Sequence, residues 1–299
     1  MKSTETARNK KILFVVNPIS GGIDKSEFIE ELSQLSEKYS FDYKLYKTTG
    51  KEDSKKIKES IEEWQPDSVA AVGGDGTSNL VGQLLIDSDV VLNIVPFGSA
   101  NGMATELDIP SNYENAIRIA VLNKVKKIDV LLINDKHYCL RISDIGINAK
   151  IIKRFEKSNK RGMLSYAKHF IEELIQSRPK KVSIKTDNEE VKKRVHMVAL
   201  ANATRYGTGA IINPIGSMTD GNFEVCLLKR ISFIAFLHLI KTFMFGKLSG
   251  TEYLEILSCK EVVISFKKYR TLQMDGELLG KYQVVTATIK PQCLNISVQ

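Results

Sequence analysis

The sequence predicts an α/β N-terminal domain, with a parallel sheet and helices on both of its faces, followed by a C-terminal β-rich domain. Up to about residue 125, apolar strand-like runs alternate with helical patterns, as in parallel sheets that helices cover. After about residue 127, short β-rich runs such as "YCLRIS" and "EVVISF" dominate, which is typical of a sandwich or distorted barrel. We therefore place the domains at residues 1–128 and 129–299.

The first domain is predicted to alternate strands and helices along the chain. The apolar run "KILFVV" is the first strand, and Asp24 as N-cap with Glu27 three residues later predicts the helix after it. Further strands are predicted at "YKLY", "DSVAAV" and "VVLNIV". Further helices are predicted from about Glu52 to Trp64, at "SNLVGQLLI" and at "YENAIRIAVL".

Two helical patterns interrupt the β-rich half, at about Leu164–Gln176 and Phe233–Phe245. The longest apolar run, Ile231 to Phe245, is shorter than the ~20 residues that a membrane span needs. His238 and Lys241 also interrupt this run. A buried helix is the preferred interpretation, and an interfacial membrane helix is the alternative.

Composition argues against several classes of function. The chain has 299 residues, a formal net charge of +8, and widely separated cysteines and histidines, so we expect no disulfide framework and no zinc or other transition-metal centre. No export signal precedes the first strand, which predicts a cytoplasmic protein. Basic runs such as "KKRVH" lack the aromatic motifs of RNA-binding domains, so we expect no nucleic-acid partner. These runs are either solvated faces or a means of attraction to an anionic leaflet.

The loop "VGGDGTSN" follows a predicted strand and opens a predicted helix. Its glycines would let backbone N–H groups approach an anion at the helix N-terminus. The loop is neither a Walker A motif nor GxGxxG, and a carboxylate at Asp75 would repel polyphosphate unless a cation lay between them. Because Mg²⁺ binds one or two carboxylates together with phosphate oxygens, the loop favours a Mg²⁺–nucleotide. The alternative is an Asp-Gly turn in which Asp75 caps the helix that follows.

Two further glycine-bearing loops, "NPISGG" and "PFGSAN", follow the first strand and the strand after the "GGDGT" helix. Ligands of open α/β sheets bind beyond the carboxyl ends of the strands. We therefore expect the three loops to converge at one edge of the sheet.

The motifs "NPISGG", "GGDGTSN", "PFGSANGMA", "IDV" and "MDGELL" occur in this order along nearly the whole chain. In this the sequence resembles the diacylglycerol kinase catalytic-domain family, which includes bacterial lipid kinases and the sphingosine and ceramide kinases. The resemblance implies a nucleotide domain, a lipid-substrate domain, an active site in the cleft between them, and transfer of the ATP γ-phosphate to a lipid hydroxyl. The residues that it implies for nucleotide binding are Asn17, Pro18, Ile19, Ser20, Gly21, Thr48, Gly74, Asp75, Gly76, Thr77, Ser78, Asn79, Ser99 and Asn101.

The resemblance also implies roles for several acids. Asp75 and Asp129 would belong to a catalytic network around Mg²⁺. Asp220 matches a position that holds a structural metal in some bacterial members of the family. Glu277, with Asp275, would take the proton from the attacking hydroxyl.

The stretch "QMDGELLG" supports the same role on physical grounds. In an extended strand, residues i and i+2 share a face, so Asp275 and Glu277 could point the same way. Neighbouring carboxylates raise each other's pKa, which suits a general base. The alternative is an Asp-Gly hairpin turn with two solvated acids. A departure from the family lies at Gly102, where many bacterial members have Asp, and it leaves the number of acids around Mg²⁺ open.

We predict a lipid kinase that depends on ATP and Mg²⁺ and converts diacylglycerol to phosphatidic acid in phospholipid biosynthesis. The alternatives are an NAD kinase, a sphingosine-type lipid kinase, and a catalytically inactive protein that binds nucleotide or lipid. The expected partners are a lipid substrate presented at a membrane surface and anionic lipid headgroups, and a homodimer is compatible with the sequence. The expected location is the cytoplasm, peripheral to the inner face of the membrane.

Overall fold

The computed structural model describes residues 9–122, 124–146, 178–206, 210–229 and 254–299. These residues fall into two compact units. The first comprises the chain up to Lys127 together with Leu294–Gln299, and the second comprises Ile128–Cys293.

The first unit alternates strands and helices along the chain. Its elements are β1 (Lys10–Val16), α1 (Ser26–Tyr39), β2 (Phe41–Lys47), α2 (Asp53–Trp64), β3 (Ser68–Gly73), α3 (Asp75–Leu84), β4 (Val91–Pro96), α4 (Gly102–Glu106) and α5 (Tyr113–Leu122). The strands pair in parallel in the order β2–β1–β3–β4. Every residue of β3 and β4 is buried, as is typical of strands covered on both faces. The predicted α/β architecture with a parallel sheet is confirmed.

The first helix begins at Ser26, and Lys25 is its N-cap residue. The carboxylate of Asp24 accepts hydrogen bonds from the backbone N–H of Ser26 at 3.0 Å and from its hydroxyl at 2.8 Å. The prediction that Asp24 is the N-cap is therefore wrong. Asp24 closes a local turn onto the residue two positions ahead, and the helix starts only after that turn.

The strands that follow α5 form the β-rich part of the chain. They are β5 (Lys124–Ile133), β6 (His137–Cys139), β7 (Ile142–Ile145), β8 (Lys180–Thr186), β9 (Glu190–Val195), β10 (Met197–Ala201), β11 (Arg205–Tyr206), β12 (Ala210–Ile211), β13 (Phe223–Leu228), β14 (Leu254–Cys259), β15 (Glu261–Met274) and β16 (Glu277–Val298). Antiparallel pairs connect β14–β13–β10–β7–β15–β16 in that order. The predicted β-rich half is confirmed.

Strand β15 is the branching point of the second unit. Its residues 262–266 pair with β8, and its residues 272–274 pair with β7. Its pairing with β16 shifts register between Ser265 and Arg270. The strands enclose an apolar core that includes Leu200, Phe223 and Ile264.

The last residues of β16 belong to the first unit, whereas the sequence had suggested that the whole chain after residue 128 formed the second. Ile296 pairs in parallel with Leu92 of β4. The side-chain amide of Asn295 donates to the backbone oxygen of Ser88 at 3.0 Å. The sheet of the first unit thus receives a strand from the far end of the sequence.

Several expectations fall on other parts of the chain. The helices predicted at Leu164–Gln176 and Phe233–Phe245, and the apolar run Ile231 to Phe245, lie outside the described residues. Within the described ranges, no helix is both long and apolar enough to cross a membrane. All four cysteines are buried free thiols.

Candidate active site

The loop after β1 turns sharply against the loop after β4. Residues 20–22 form a single 3₁₀ turn in which Gly21 has φ +67°. A Cβ atom on Gly21 would lie 2.4 Å from the backbone oxygen of Phe97, so both the dihedral angle and the space require glycine. Pro18 and Ile19 are exposed beside this turn, and the N–H of Asn17 donates to Val72 O at 3.0 Å.

The loop after β3 leads directly into α3. Gly74 is the N-cap residue, and its oxygen accepts the N–H groups of Thr77 and Ser78 at 3.0 and 3.1 Å. The Oγ1 atom of Thr77 and the Oδ1 atom of Asn79 are buried and have no hydrogen-bond partner among the described residues. Unpartnered buried oxygens require an explanation, and the first turn of a helix is suited to an anion.

The loop after β4 is closed by its own asparagine. Asn101 accepts the Gly98 N–H at 2.7 Å and donates to Gly98 O at 2.8 Å. Asn101 has φ +50°, a conformation that asparagine tolerates better than most residues. Ser99 lies exposed at the tip of this loop.

The three glycine loops converge, as the sequence indicated. A Cβ atom on Gly98 would lie 2.3 Å from the Cα atom of Gly74, so these two backbones touch. The N–H of Phe97 donates to Gly73 O at 2.8 Å, and the hydroxyl of Ser20 lies 3.5 Å from Phe97 O. The structure therefore brings the first, second and third loops to one place.

Thr48 follows β2 at the same edge. Its N–H donates to the oxygen of Val16, the last residue of β1, at 2.9 Å. It therefore lies beside Asn17, where the first loop begins.

Asp75 links the second loop to the third. Its Oδ2 atom accepts the Gly102 N–H and its Oδ1 atom accepts the Met103 N–H, each at 2.9 Å. The carboxylate thus caps α4. The alternative expectation that Asp75 caps α3 is wrong, because Gly74 is the N-cap residue of α3 and Asp75 is the first residue of that helix. Asp75 is only half-buried.

The side chains of these loops are of chemical types that can bind a Mg²⁺–nucleotide. Among the described residues, no group of three or more His, Cys, Asp and Glu side chains could hold a metal ion by itself. A single carboxylate at Asp75 is compatible with Mg²⁺, because protein sites commonly supply one or two carboxylates and leave the other positions to phosphate and water. The unpartnered oxygens of Thr77 and Asn79 are hard donors of the same type.

Lys25 is a residue of this site that the sequence analysis missed. Its ammonium group donates to Ser20 O at 2.8 Å and to Ile23 O at 2.9 Å, and it lies 5.5 Å from the centre of the Phe97 ring. Burial lowers the pKa of Lys25 below its ordinary value of 10.5, and the charge of Asp24 opposes the shift. A lysine just after the glycine loop, in "NPISGGIDK", was the available signal.

Asp129, in the second unit, forms hydrogen bonds with three separate segments of the chain. It is fully buried, and its carboxylate accepts the N–H groups of Gln292 at 2.7 Å and Gly221 at 2.8 Å. Its backbone oxygen accepts the amide of Asn202 at 2.7 Å. Asp220 lies in the same turn as Gly221 but is exposed, and its Oδ1 accepts the Asn222 N–H at 3.0 Å.

Asp275 and Glu277 do not lie on one face of an extended strand, so that expectation is wrong. Met274 pairs with Glu277 across β15 and β16, and Asp275 and Gly276 form the two-residue turn between them, both with positive φ. Asp-Gly is a favoured sequence for such a turn. The alternative of a hairpin turn is correct for the backbone, but the two acids are not both solvated.

The environments of the two acids differ sharply. The Asp275 carboxylate accepts the backbone N–H groups of Leu140 at 2.8 Å and of Arg141 and Ile142 at 3.1 Å each. Burial raises the pKa of Asp275 above 3.8, and these hydrogen bonds oppose the shift. Glu277, in contrast, is exposed to solvent.

Comparison with known proteins finds a family model for each of the two parts of the chain. Residues 11–133 match the diacylglycerol kinase catalytic domain, and residues 142–298 match the YegS C-terminal NAD kinase beta sandwich-like domain. The chain therefore belongs to the diacylglycerol kinase catalytic-domain family, and it carries the second domain as well.

Individual relatives agree with this assignment. A "Probable lipid kinase YegS-like" of Pectobacterium atrosepticum is 26% identical, over 96% of this chain and 98% of that protein. A "Diacylglycerol kinase" of Bacillus subtilis is 24% identical, over 91% of each. The crystal structure of a diacylglycerol kinase from Bacillus anthracis str. Sterne, 19% identical, covers 97% of both chains with a TM-score of 0.73, and it shows that the fold is shared.

Proposed function

We propose that this protein is a lipid kinase that uses Mg²⁺–ATP and phosphorylates the free hydroxyl of diacylglycerol to give phosphatidic acid. The single observation that carries the nucleotide part is the backbone contact between Gly98 and Gly74, which brings the glycine loops together at the N-terminus of α3. The membership of the family of lipid kinases supports a lipid hydroxyl as the acceptor.

The glycine loops would bind the phosphates of ATP. Gly21, Gly74 and Gly98 keep side chains out of the loops, so that backbone N–H groups can approach phosphate oxygens. Asp75 would hold Mg²⁺, which neutralises charge on the β- and γ-phosphates when bound. The hydrogen bonds from Gly102 and Met103 fix the orientation of the Asp75 carboxylate.

Glu277 would act on the lipid. Its exposed carboxylate would accept the proton of the lipid hydroxyl as the hydroxyl oxygen forms its bond to the γ-phosphorus atom. The bond between that phosphorus atom and the β,γ-bridging oxygen breaks, and ADP leaves. Asp275 would hold the turn that presents Glu277, through its three backbone hydrogen bonds.

This function requires the protein to act at the surface of a membrane. We propose that the protein acts in the cytoplasm at the inner face of the membrane, where diacylglycerol and anionic lipids are present. The formal net charge of +8 favours such a location, since cationic proteins are attracted to anionic leaflets.

A labelled-ATP assay tests the proposal and separates it from the alternatives. The purified protein is given γ-labelled ATP and Mg²⁺ with either a total lipid extract or NAD, and the labelled product is identified by mass. We expect phosphatidic acid from the lipid extract and no label in NAD. Labelled NADP would establish an NAD kinase, a phosphorylated sphingoid base would establish a sphingosine-type enzyme, and an absence of any product would indicate an inactive binding protein.

A further inference from the structure

One exposed face of the second unit carries mainly basic side chains. Strands β8 and β9 are antiparallel, with Lys181 opposite Arg194 and Ser183 opposite Lys192. Strand β15 pairs with β8 on its other side, and Lys267 follows directly after the last pair, Phe266 with Val182. We call the surface formed by Lys181, Lys185, Lys192, Arg194 and Lys267 the basic face, and all of its members are exposed.

The alternation of side chains along the strands places the basic face on the side opposite the apolar core. Residues on the other side of the same strands, such as Val182, Ile184 and Val195, are buried in the apolar core. Because neighbouring strand residues point to opposite sides, the basic residues point away from that core.

The charges of the basic face are not neutralised within the described part of the chain. No ion pair joins Lys181, Lys192 or Arg194 to a described carboxylate. Lys193 of the same strand differs, because its ammonium group lies 2.7 Å from Glu255, which also binds Lys229 at 2.6 Å. The half-buried lysine of β9 thus has an acid partner, whereas its exposed neighbours have none among the described residues.

The described acids that β8, β9 and β15 place near the basic face lie at one end of it. Glu190 lies opposite Lys185, next to the β8–β9 turn, and Glu261 lies at the start of β15. At the other end, the described exposed residues Lys181, Arg194 and Lys267 are all basic. The distribution therefore gives the face a positive end and a mixed end.

Exposed apolar side chains lie among these charges. Val284 of β16 is 50% exposed and is paired with Ser265 of β15, and Val263 is 40% exposed. Tyr269, two residues after Lys267, is 63% exposed. Apolar and aromatic side chains beside lysine and arginine suit the boundary between headgroups and acyl chains, whereas single-stranded nucleic acid needs a series of stacking aromatic rings.

We propose that the basic face is the surface by which the protein docks on an anionic lipid bilayer. The inference rests on the proposed function in one respect: an enzyme with a lipid substrate must act at a membrane. Lysine and arginine would contact the anionic headgroups, and Val263, Val284 and Tyr269 would enter the interface. The occupant is therefore a lipid surface with negative charge.

Vesicle binding of a quadruple variant tests the proposal. The variant is Lys181→Gln, Lys192→Gln, Arg194→Gln and Lys267→Gln, and the matched control removes four exposed lysines of the first unit, Lys51→Gln, Lys55→Gln, Lys56→Gln and Lys58→Gln. Co-sedimentation without nucleotide is measured with vesicles of equimolar phosphatidylglycerol and phosphatidylcholine, and with phosphatidylcholine alone.

The expected result follows from the charge removed. Each basic residue near an anionic leaflet contributes about fivefold to binding, so the face variant should bind the anionic vesicles at least about 100-fold more weakly than the wild type. The control should lose much less. Raising NaCl to about 0.5 M should remove most of the difference, because it screens the charges. Equal losses of vesicle binding in the two variants would overturn the proposal. The proposal would also be overturned if the wild type bound an RNA or single-stranded DNA oligomer more tightly than the anionic vesicles, and if the face variant lost that binding while the control kept it.

A second measurement separates this proposal from the proposed function. In neutral detergent micelles that contain a short-chain diacylglycerol, the face variant should phosphorylate lipid as fast as the wild type. Loss of vesicle binding with normal activity in micelles supports the docking face. Vesicle binding by the face with no kinase activity in the wild type would contradict the proposed function and leave the docking face standing.

Discussion

The Oδ2 atom of Asp75 lies 2.9 Å from the backbone nitrogen of Gly102, and its Oδ1 atom lies 2.9 Å from that of Met103. The acid in the middle of the second glycine loop therefore binds the N-terminus of the helix that follows the third loop. Gly102 contributes only its N–H to this contact, which any residue except proline would also supply. The departure from the family at this position thus leaves the link between the loops intact.

Substitution of Asp75 should separate its two roles. Asp75→Ala removes the cap and the charge, and it should abolish ATP-dependent phosphorylation and lower the free energy of unfolding by about 1–2 kcal/mol. Asp75→Asn keeps an acceptor oxygen, so it should recover part of the stability but none of the activity. Thermal unfolding and the labelled-ATP assay measure the two effects, and an active Asn variant would reduce Asp75 to a structural cap.

The contact between the second and third loops predicts a sharp difference between two glycines. Gly98→Ala would place a Cβ 2.3 Å from the Cα of Gly74, and it should destabilise the protein by at least about 2 kcal/mol through overpacking. Gly76→Ala meets no atom within 4 Å and lies in α3, so it should be neutral or slightly stabilising. Denaturant unfolding of the two variants tests this, and equal stabilities would contradict the observed packing.

Lys25 should behave as a positioning residue. Lys25→Met keeps an apolar chain of similar length but loses both hydrogen bonds to the first loop. We expect the KM for ATP to rise about 30-fold, because the two bonds together contribute about 2 kcal/mol to the order of the loop, while kcat changes little. Lys56→Met, at an exposed position of α2, is the control, and a purely structural role for Lys25 would lower stability without the change in KM.

Glu277→Gln should reduce turnover without weakening the fold. The side chain is exposed, so its neutralisation should leave the unfolding midpoint unchanged and nucleotide affinity within a factor of about two. If the carboxylate accepts the proton of the lipid hydroxyl, kcat should fall by about 100-fold or more. Steady-state kinetics and a nucleotide-binding titration check this, and a normal kcat would exclude Glu277 as the base.

Asp275→Asn, unlike Glu277→Gln, should lower the stability of the fold. Its amide would face N–H groups that the carboxylate now satisfies, and we expect a loss of about 1–3 kcal/mol in stability. The pKa of Asp275 is raised above 3.8 in the folded protein, so the folded state holds the proton more tightly than the unfolded one. Wild-type stability, relative to the Asn variant, should therefore fall as pH rises from below 3.8 through the raised pKa. Unfolding measured at several pH values tests the sign, and a rise over that window would contradict it.

The sequence predicted the parallel sheet and the meeting of the three loops because apolar runs and glycines are local signals. It did not predict which backbone group Asp75 would bind, since Gly102 and Met103 lie more than twenty positions further along the chain. The roles of Lys25 and Asp275 also depend on distant carbonyl and N–H groups. Asp275 has φ +46° and is therefore not in an extended strand, so the alternation of side chains along a strand does not apply to it.

The pairing of Ile296 with Leu92 has a consequence for biosynthesis. The ribosome makes strands β1 to β4 before the second unit, whereas the strand that borders β4 follows that unit in the chain. The amino-terminal half must therefore wait, with one edge of its sheet uncovered, while more than 160 intervening residues are translated. N-terminal domains commonly finish folding during synthesis, whereas this one can be completed only after the chain has returned to it.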